Sequence, residues 1–123
     1  MSSKAVLVVD DDDGVRTLVQ TLLRRRKLVA DEASNGQEAI AKLEGHAYDA
    51  IVLDLMMPRL SGFEVIDYIE QTRPEVPCVV ISAAAPRDLQ RVESKTVVRS
   101  VLRKPFDISD LIDAVEQCVS AGS

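Results

Sequence analysis

The sequence has little that would tie it to a membrane, a secretory route or a cysteine framework. No apolar run approaches the roughly 20 residues that a membrane span needs, and the amino-terminal Met1-Ser2-Ser3-Lys4 lacks the apolar core of a secretory signal. There are two cysteines, Cys78 and Cys118. They fall in a predicted strand and a predicted helix, and they read as small buried hydrophobes of a reducing cytoplasm. The one histidine, His46, sits in a Gly-His-Ala stretch and reads as a solvated loop residue. Repeats, linkers and low-complexity segments are absent. So is any excess of positive charge: 15 basic against 20 acidic side chains leave −5. That balance argues against direct nucleic-acid binding. Arg24-Arg25-Arg26-Lys27 is a local exception. It reads as a helix end whose cations complement the macrodipole, with a docking patch for an acidic partner as the alternative.

What is present suits one globular domain over residues 1–123, at 46% hydrophobic and 28% charged. Val6 to Val9 form a β-branched and leucine run followed by Asp10-Asp11-Asp12-Asp13. Val15, Leu18, Val19, Leu22 and Leu23 then recur at helical spacing, with Asp12 or Asp13 as N-cap. Leu28 to Ala30 reads as a brief second strand. A helix carrying Ala39, Ile40 and Leu43 follows and stops at Gly45. Ala50 to Leu53 is a short apolar run that suits a strand buried on both faces better than a helix, and Asp54 stands at its end before Pro58 closes the segment. Ser61-Gly62 opens a helix with Phe63, Ile66 and Ile69 that ends before Pro74. Cys78 to Ile81 is the fourth strand, closed by Ser82, and Pro86 to Ser94 is a weaker helix anchored by Leu89 and Val92. Val97 to Leu102 is the fifth strand, with Arg99, Val101 and Arg103 marking a half-exposed edge. The last helix, from about Asp107, repeats Ile108, Leu111, Ile112, Val115 and Val119. Strict alternation of five strands and five helices predicts an α/β doubly wound parallel sheet with helices on both faces.

Polar residues follow four of the five strands: Asp10 and Asp11, Asp54, Ser82 and Lys104. In open parallel sheets a ligand site lies outside the carboxyl ends of the strands. A strand order of 2-1-3-4-5 brings all of these groups to one crevice. Three clustered carboxylates repel one another unless a cation neutralises them. Oxygen-only ligands at a solvent-reachable site suit Mg²⁺. With the Lys104 ammonium and the Ser82 hydroxyl, such a site suits a dianionic phosphoryl group, and a central carboxylate can serve as its nucleophile, giving an aspartyl-phosphate.

The ordered set Val6-Leu7-Val8-Val9-Asp10-Asp11, Leu53-Asp54-Leu55-Met56-Met57-Pro58, Ser61-Gly62 and Lys104-Pro105-Phe106, with a step of 22 residues from Ser82 to Lys104, resembles the receiver domain of two-component response regulators, the family that includes the chemotaxis response regulator. The resemblance spans essentially the whole chain. It implies a flavodoxin-like (βα)5 fold and matches Asp54 to the phosphoacceptor. Asp10 and Asp11 match the acidic pair at the Mg²⁺ site, Asp11 binding directly and Asp10 through water. Met56 matches the position whose backbone carbonyl joins them. Ser82 matches the switch hydroxyl and Lys104 the lysine that pairs with the phosphoryl group. Met56 and Ala84 match the two positions that cover the approach of hydrolytic water. The resemblance also implies a cis Lys104-Pro105 peptide. Two departures fall in the region that carries the output signal: Val101 stands where many receivers have an aromatic switch residue, and Ser94-Lys95-Thr96 replaces a common Gly-Ala turn.

The implied function is a phosphorylation-dependent signalling switch rather than an enzyme. Its phosphoryl group comes from an external phosphohistidine, on a sensor histidine kinase or a histidine phosphotransfer protein. A homodimer or output partner is expected on the face formed by the fourth helix, fifth strand and fifth helix. The alternative is a Mg²⁺-dependent aspartyl-phosphate phosphohydrolase. It is disfavoured because Leu55, Met56 and Met57 follow Asp54, leaving no acid two residues on, and because there is no cap domain. A degenerate receiver acting only as a binding module would require loss of an acid or the lysine, and all are present. The start at Met1 and an end soon after the fifth helix favour a stand-alone regulator.

Overall fold

A computed structural model describes residues 4–57 and 59–121; Pro58, read as closing the central segment, lies outside the described residues, as do Met1, Ser2 and Ser3. Five strands and five helices alternate among the described residues: β1 (Ala5–Val9), α1 (Asp13–Arg25), β2 (Val29–Ala33), α2 (Gly36–Gly45), β3 (Ala50–Asp54), α3 (Gly62–Thr72), β4 (Cys78–Ser82), α4 (Pro86–Glu93), β5 (Val98–Arg103) and α5 (Ile108–Ala121). All strand pairs are parallel, in the order β2-β1-β3-β4-β5. This is the doubly wound sheet that the alternation predicts. No helix of the described residues is long and apolar enough to cross a membrane.

Side-chain alternation splits each inner strand between two cores. Leu7, Val9, Ile51, Leu53, Cys78 and Val80 pack under α2, α3 and α4. Val6, Val8, Val52, Val79 and Ile81 pack under α1 and α5. Every residue of β3 and β4 is buried, as strands covered on both faces must be. Cys78 and Cys118 are both buried and unpaired with each other, and His46 is an exposed residue at the end of α2. Leu89 and Val92 are the buried anchors of α4.

Three details depart from the sequence reading. Leu28 belongs to the end of α1 rather than to β2. Lys27 adopts a left-handed conformation with φ 64°, its amide donates to the Arg24 carbonyl, and the Leu28 amide donates to that of Leu23. This is a Schellman closure, so β2 begins at Val29 and runs on through Asp31 and Glu32. Leu18, expected on the core face, is 51% exposed. The helix is rotated so that Arg16, Gln20 and Arg24, spaced one turn apart, lie along β2. Gln20 and Arg24 both donate to the Ala30 carbonyl, and Arg16 reaches Glu32 at 2.8 Å. Edge-strand carbonyls that lack a neighbouring strand take their donors from the helix above. Finally, Arg99, Val101 and Arg103 do not alternate simply. Cys78 pairs with Val98 but Val79 pairs with Ser100, so Arg99 is an extra residue in the ladder. The bulge lets Val98 and Val101, three apart, pack against the same core.

Ser94-Lys95-Thr96 carries contacts that no Gly-Ala turn could make. Lys95 pairs with Asp67 at 3.2 Å and Glu70 at 3.7 Å on α3, and Glu70 accepts from both the amide and hydroxyl of Thr96. The segment after α4 is thereby tied to α3.

Two glycines differ in what they permit. A Cβ at Gly62 would stand 2.5 Å from the Asp54 carbonyl oxygen and 2.6 Å from Leu55 Cα. α3 thus begins in tight contact with the backbone at the end of β3. A Cβ at Gly45 meets nothing within 4 Å. Gly62→Ala is therefore expected to destabilise the chain by about 2–3 kcal/mol, since the clash is with backbone. Gly45→Ala should change stability by no more than about 1 kcal/mol. Urea unfolding of the two variants checks the contrast.

Candidate functional site

The mouth lies where β1, β3, β4 and β5 end. β1 delivers Asp10, whose amide extends the ladder to the Ala33 carbonyl. The chain then leaves the sheet, and Asp12 caps α1 by accepting from the Val15 amide at 3.1 Å. Asp54 is the last residue of β3. Ser82 is the last of β4, and the Lys104 amide donates to its carbonyl at 2.8 Å, so β5 carries the lysine to the same level. The Lys104-Pro105 peptide is cis.

Asp10 is fully buried and Asp54 is 3% exposed, whereas Asp11 is exposed. One carboxylate oxygen from each lies within 4.8 Å of the others. The Lys104 ammonium donates to Asp10 Oδ2 at 2.9 Å and to Asp54 Oδ2 at 3.4 Å. The remaining oxygens are taken by backbone: Asp10 Oδ1 accepts from the Asp12 amide at 2.9 Å, and Asp54 Oδ1 from the Met56 amide at 3.1 Å. Burial, with the charge of Asp10 beside it, pushes the Asp54 carboxyl above its usual range against the opposing pull of the Met56 amide and Lys104. Burial of Lys104 favours its neutral form, but the hydrogen bond to Asp10 and the two nearby carboxylates outweigh it and raise its pKa. The mouth is therefore an acidic cluster held together by one ammonium. Three hard oxygen ligands, one of them solvent-facing, fit a divalent cation such as Mg²⁺.

The other expected positions are distributed around it. Ser82 is fully buried, and its Oγ accepts from the Ala84 amide at 3.0 Å. Among the described hydrogen bonds it reaches neither Asp54 nor Lys104. Met56 is 58% exposed, while Ala84 is 7% exposed and packs into the core. Val101 is half-buried against the same core. The sequence reading missed Arg16. Its side chain is only 12% exposed, and it donates to the Asp10 carbonyl at 2.7 Å, to Glu32 at 2.8 Å and to Asp13. The hydrogen bond to Glu32 outweighs burial and raises its pKa, so it stays charged. A signal existed: a cation one turn after the acidic run, with Gln20 and Arg24 on the same helical line.

Comparison with known proteins agrees with this geometry. The family described as the response regulator receiver domain matches residues 6–116. The transcriptional regulatory protein PdtaR of Mycobacterium tuberculosis is 36% identical over 118 residues, covering 95% of this chain and 57% of that protein, so the chain spans little more than half of this relative's length. The receiver domain of Francisella response regulator 1452 superimposes with a TM-score of 0.90 at 27% identity, over 98% of this chain and 100% of that one. Response regulator protein TrrA of Thermotoga maritima, solved in complex with Mg²⁺-BeF, gives 0.81 at 28% identity over 94% and 98%. With acid pair, central aspartate and lysine converging on one mouth of a 2-1-3-4-5 sheet, the chain belongs to the response regulator receiver domains, the phosphorylation-dependent switches of two-component signalling.

Proposed function

We propose that Asp54 accepts a phosphoryl group from a phosphohistidine on a sensor histidine kinase or a histidine phosphotransfer protein, in a Mg²⁺-dependent reaction in the cytoplasm. The observation that carries this reading is the convergence of Asp10, Asp11 and Asp54 within 4.8 Å, bridged by Lys104. An Asp54 oxygen attacks phosphorus, the P–N bond to the donor imidazole breaks as the O–P bond forms, and the electron pair leaves with the imidazole nitrogen. The Met56 amide holds Asp54 Oδ1, leaving Oδ2, whose 3.4 Å contact with Lys104 is the looser of the lysine's two, as the attacking atom. Lys104 then pairs with the phosphoryl oxygens while keeping its bond to Asp10. Ser82 turns its hydroxyl from the Ala84 amide toward the phosphoryl group. Asp10, Asp11, Asp54 and the Met56 carbonyl would hold Mg²⁺, which supplies charge neutralisation between the acids and the incoming dianion. TrrA, solved with Mg²⁺-BeF, supports that assignment. The chain acts as acceptor and switch, not as a turnover catalyst. Its output face is α4, β5 and α5, where it meets a second copy or another protein, and nucleic acid is not its direct ligand.

Three outcomes test this reading. Incubation with a small phosphodonor and Mg²⁺ should add one phosphate by mass spectrometry, and Asp54→Asn should add none; labelling of that variant would remove Asp54 from the reaction.

The second concerns charge. The folded Asp54 carboxyl titrates above its unfolded value, so its ionisation destabilises the cation-free fold. There is no penalty below the unfolded pKa; the penalty grows as pH rises and is complete above the folded pKa. In EDTA, the thermal stability of Asp54→Asn relative to the parent should therefore increase from acid toward neutral pH. Mg²⁺ at about 100 times its Kd should restore about 2.7 kcal/mol to the parent, and Asp11→Asn should abolish most of that gain.

The third concerns lifetime. Met56 is the exposed one of the two covering positions, and its thioether cannot hold a water for in-line attack. The phosphorylated parent should lose phosphate slowly. Met56→Asn should shorten the lifetime about tenfold, equivalent to about 1.4 kcal/mol of barrier, as read from phosphate release. Equal rates would show that this side chain does not control the water.

A further inference from the structure

We propose that Arg16, braced by Glu32, is a positioning residue for the cation site: its guanidinium fixes the Asp10–Asp11 peptide and so aims the Asp11 carboxylate at the mouth. This inference rests on the cation-site reading above.

Asp11 is the exposed member of the acidic cluster, and among the described residues its carboxylate has no hydrogen-bond partner. Its place is therefore set by its backbone. That backbone is bracketed. The amide of the following residue, Asp12, is held by Asp10 Oδ1 at 2.9 Å. The carbonyl preceding Asp11, that of Asp10, accepts from Arg16 Nη1 at 2.7 Å. The orientation of that carbonyl fixes the peptide plane leading into Asp11. Freeing it lets Asp11 rotate away from Asp10 and Asp54.

Arg16 can hold this position because each of its three guanidinium nitrogens makes a contact. Nε goes to Glu32 Oε1 at 2.8 Å, and Nη2 to Asp13 Oδ1. Glu32 pairs in register with Val8 on the α1 side of the sheet, so β2 backs the fork from a rigid element. A planar guanidinium satisfies three acceptors in fixed directions; an ammonium on a flexible stem does not.

The sign of the effect separates positioning from charge. Arg16 is a cation beside a cation site, so removing its charge alone would tighten binding of a second cation. Loss of positioning weakens it. Arg16→Lys keeps the charge and loses the fork; it should weaken Mg²⁺ binding about tenfold, in the range seen when groups that orient metal ligands are removed. Arg16→Gln should weaken it in the same direction, and Glu32→Asp, which keeps the charge but shortens the brace, to a smaller degree. The probe is Mg²⁺ alone, titrated into the ¹⁵N-labelled full chain and followed at the Asp10 to Asp13 amides. Melting in EDTA records stability separately.

Arg16→Lys binding Mg²⁺ as tightly as the parent, or more tightly, while Asp11→Asn abolishes binding, would overturn the proposal and leave Arg16 a purely structural residue. A parent whose Mg²⁺ response survives Asp11→Asn would instead overturn the cation-site reading, and the proposal with it. Should Arg16→Lys fail to fold, Glu32→Asp, which keeps the charge but shortens the brace, carries the same expectation: weaker binding supports the brace, and unchanged binding removes it.

Discussion

Two buried carboxylates facing the same mouth are tolerable only because one ammonium lies between them. Asp10 and Asp54 end adjacent strands, and neither has enough solvent to disperse its charge. Uncompensated, two buried like charges side by side repel one another and destabilise the fold. Lys104 comes from the far side of β4, its amide hydrogen-bonded to the end of that strand, and its stem spans the gap to reach both acids. The ends of β1, β3 and β5 are thereby tied through a single charge. The position of β5 and the electrostatics of the acceptor are one problem, because displacing the lysine exposes two acids to each other.

Much of this could be read from the residues. The alternation of β-branched runs and amphipathic helices dictated the layers, and the acids, hydroxyl and lysine at strand ends pointed to a common mouth before any register was known. The apolar runs of β3 and β4 read as strands rather than helices because they are short and bounded by turn residues, and burial on both faces explains why they do not alternate. The misread parts share a cause. Leu18, Leu28 and the pattern of β5 were each assigned from the local apolar pattern, and in each case the hydrogen-bonding needs of the backbone prevailed. Arg16, Gln20 and Arg24 turned α1 toward β2, the Schellman closure claimed Leu28, and a bulge at Arg99 reset the alternation of β5. Periodicity reports which residues are apolar, not which backbone groups across the sheet still need donors.

The same limit applies around the site. Side chains placed there by the strand ends were legible, because the chain delivers them directly. Arg16 was not, since its role depends on Glu32, sixteen residues away on an edge strand that continues past its apolar start. Lys95 and Thr96 were visible as a departure from the family's usual turn, but their engagement of Asp67 and Glu70 appears only once α3 and the segment after α4 are set side by side.

The treatment of β2 has a further consequence. Its carbonyls at Ala30 and Glu32, two residues apart, point outward where no strand follows, and both are occupied: the first by Gln20 and Arg24 from one layer, the second by Lys42 from the other. At the opposite margin, the extra residue at Arg99 breaks the repeat that an incoming strand would have to match. An open five-stranded sheet offers two templates for sheet extension, and each would invite a partially unfolded neighbour to add on. Here one is capped from above and below and the other is out of step. The sheet of this domain is thus guarded at both margins against association by strand addition.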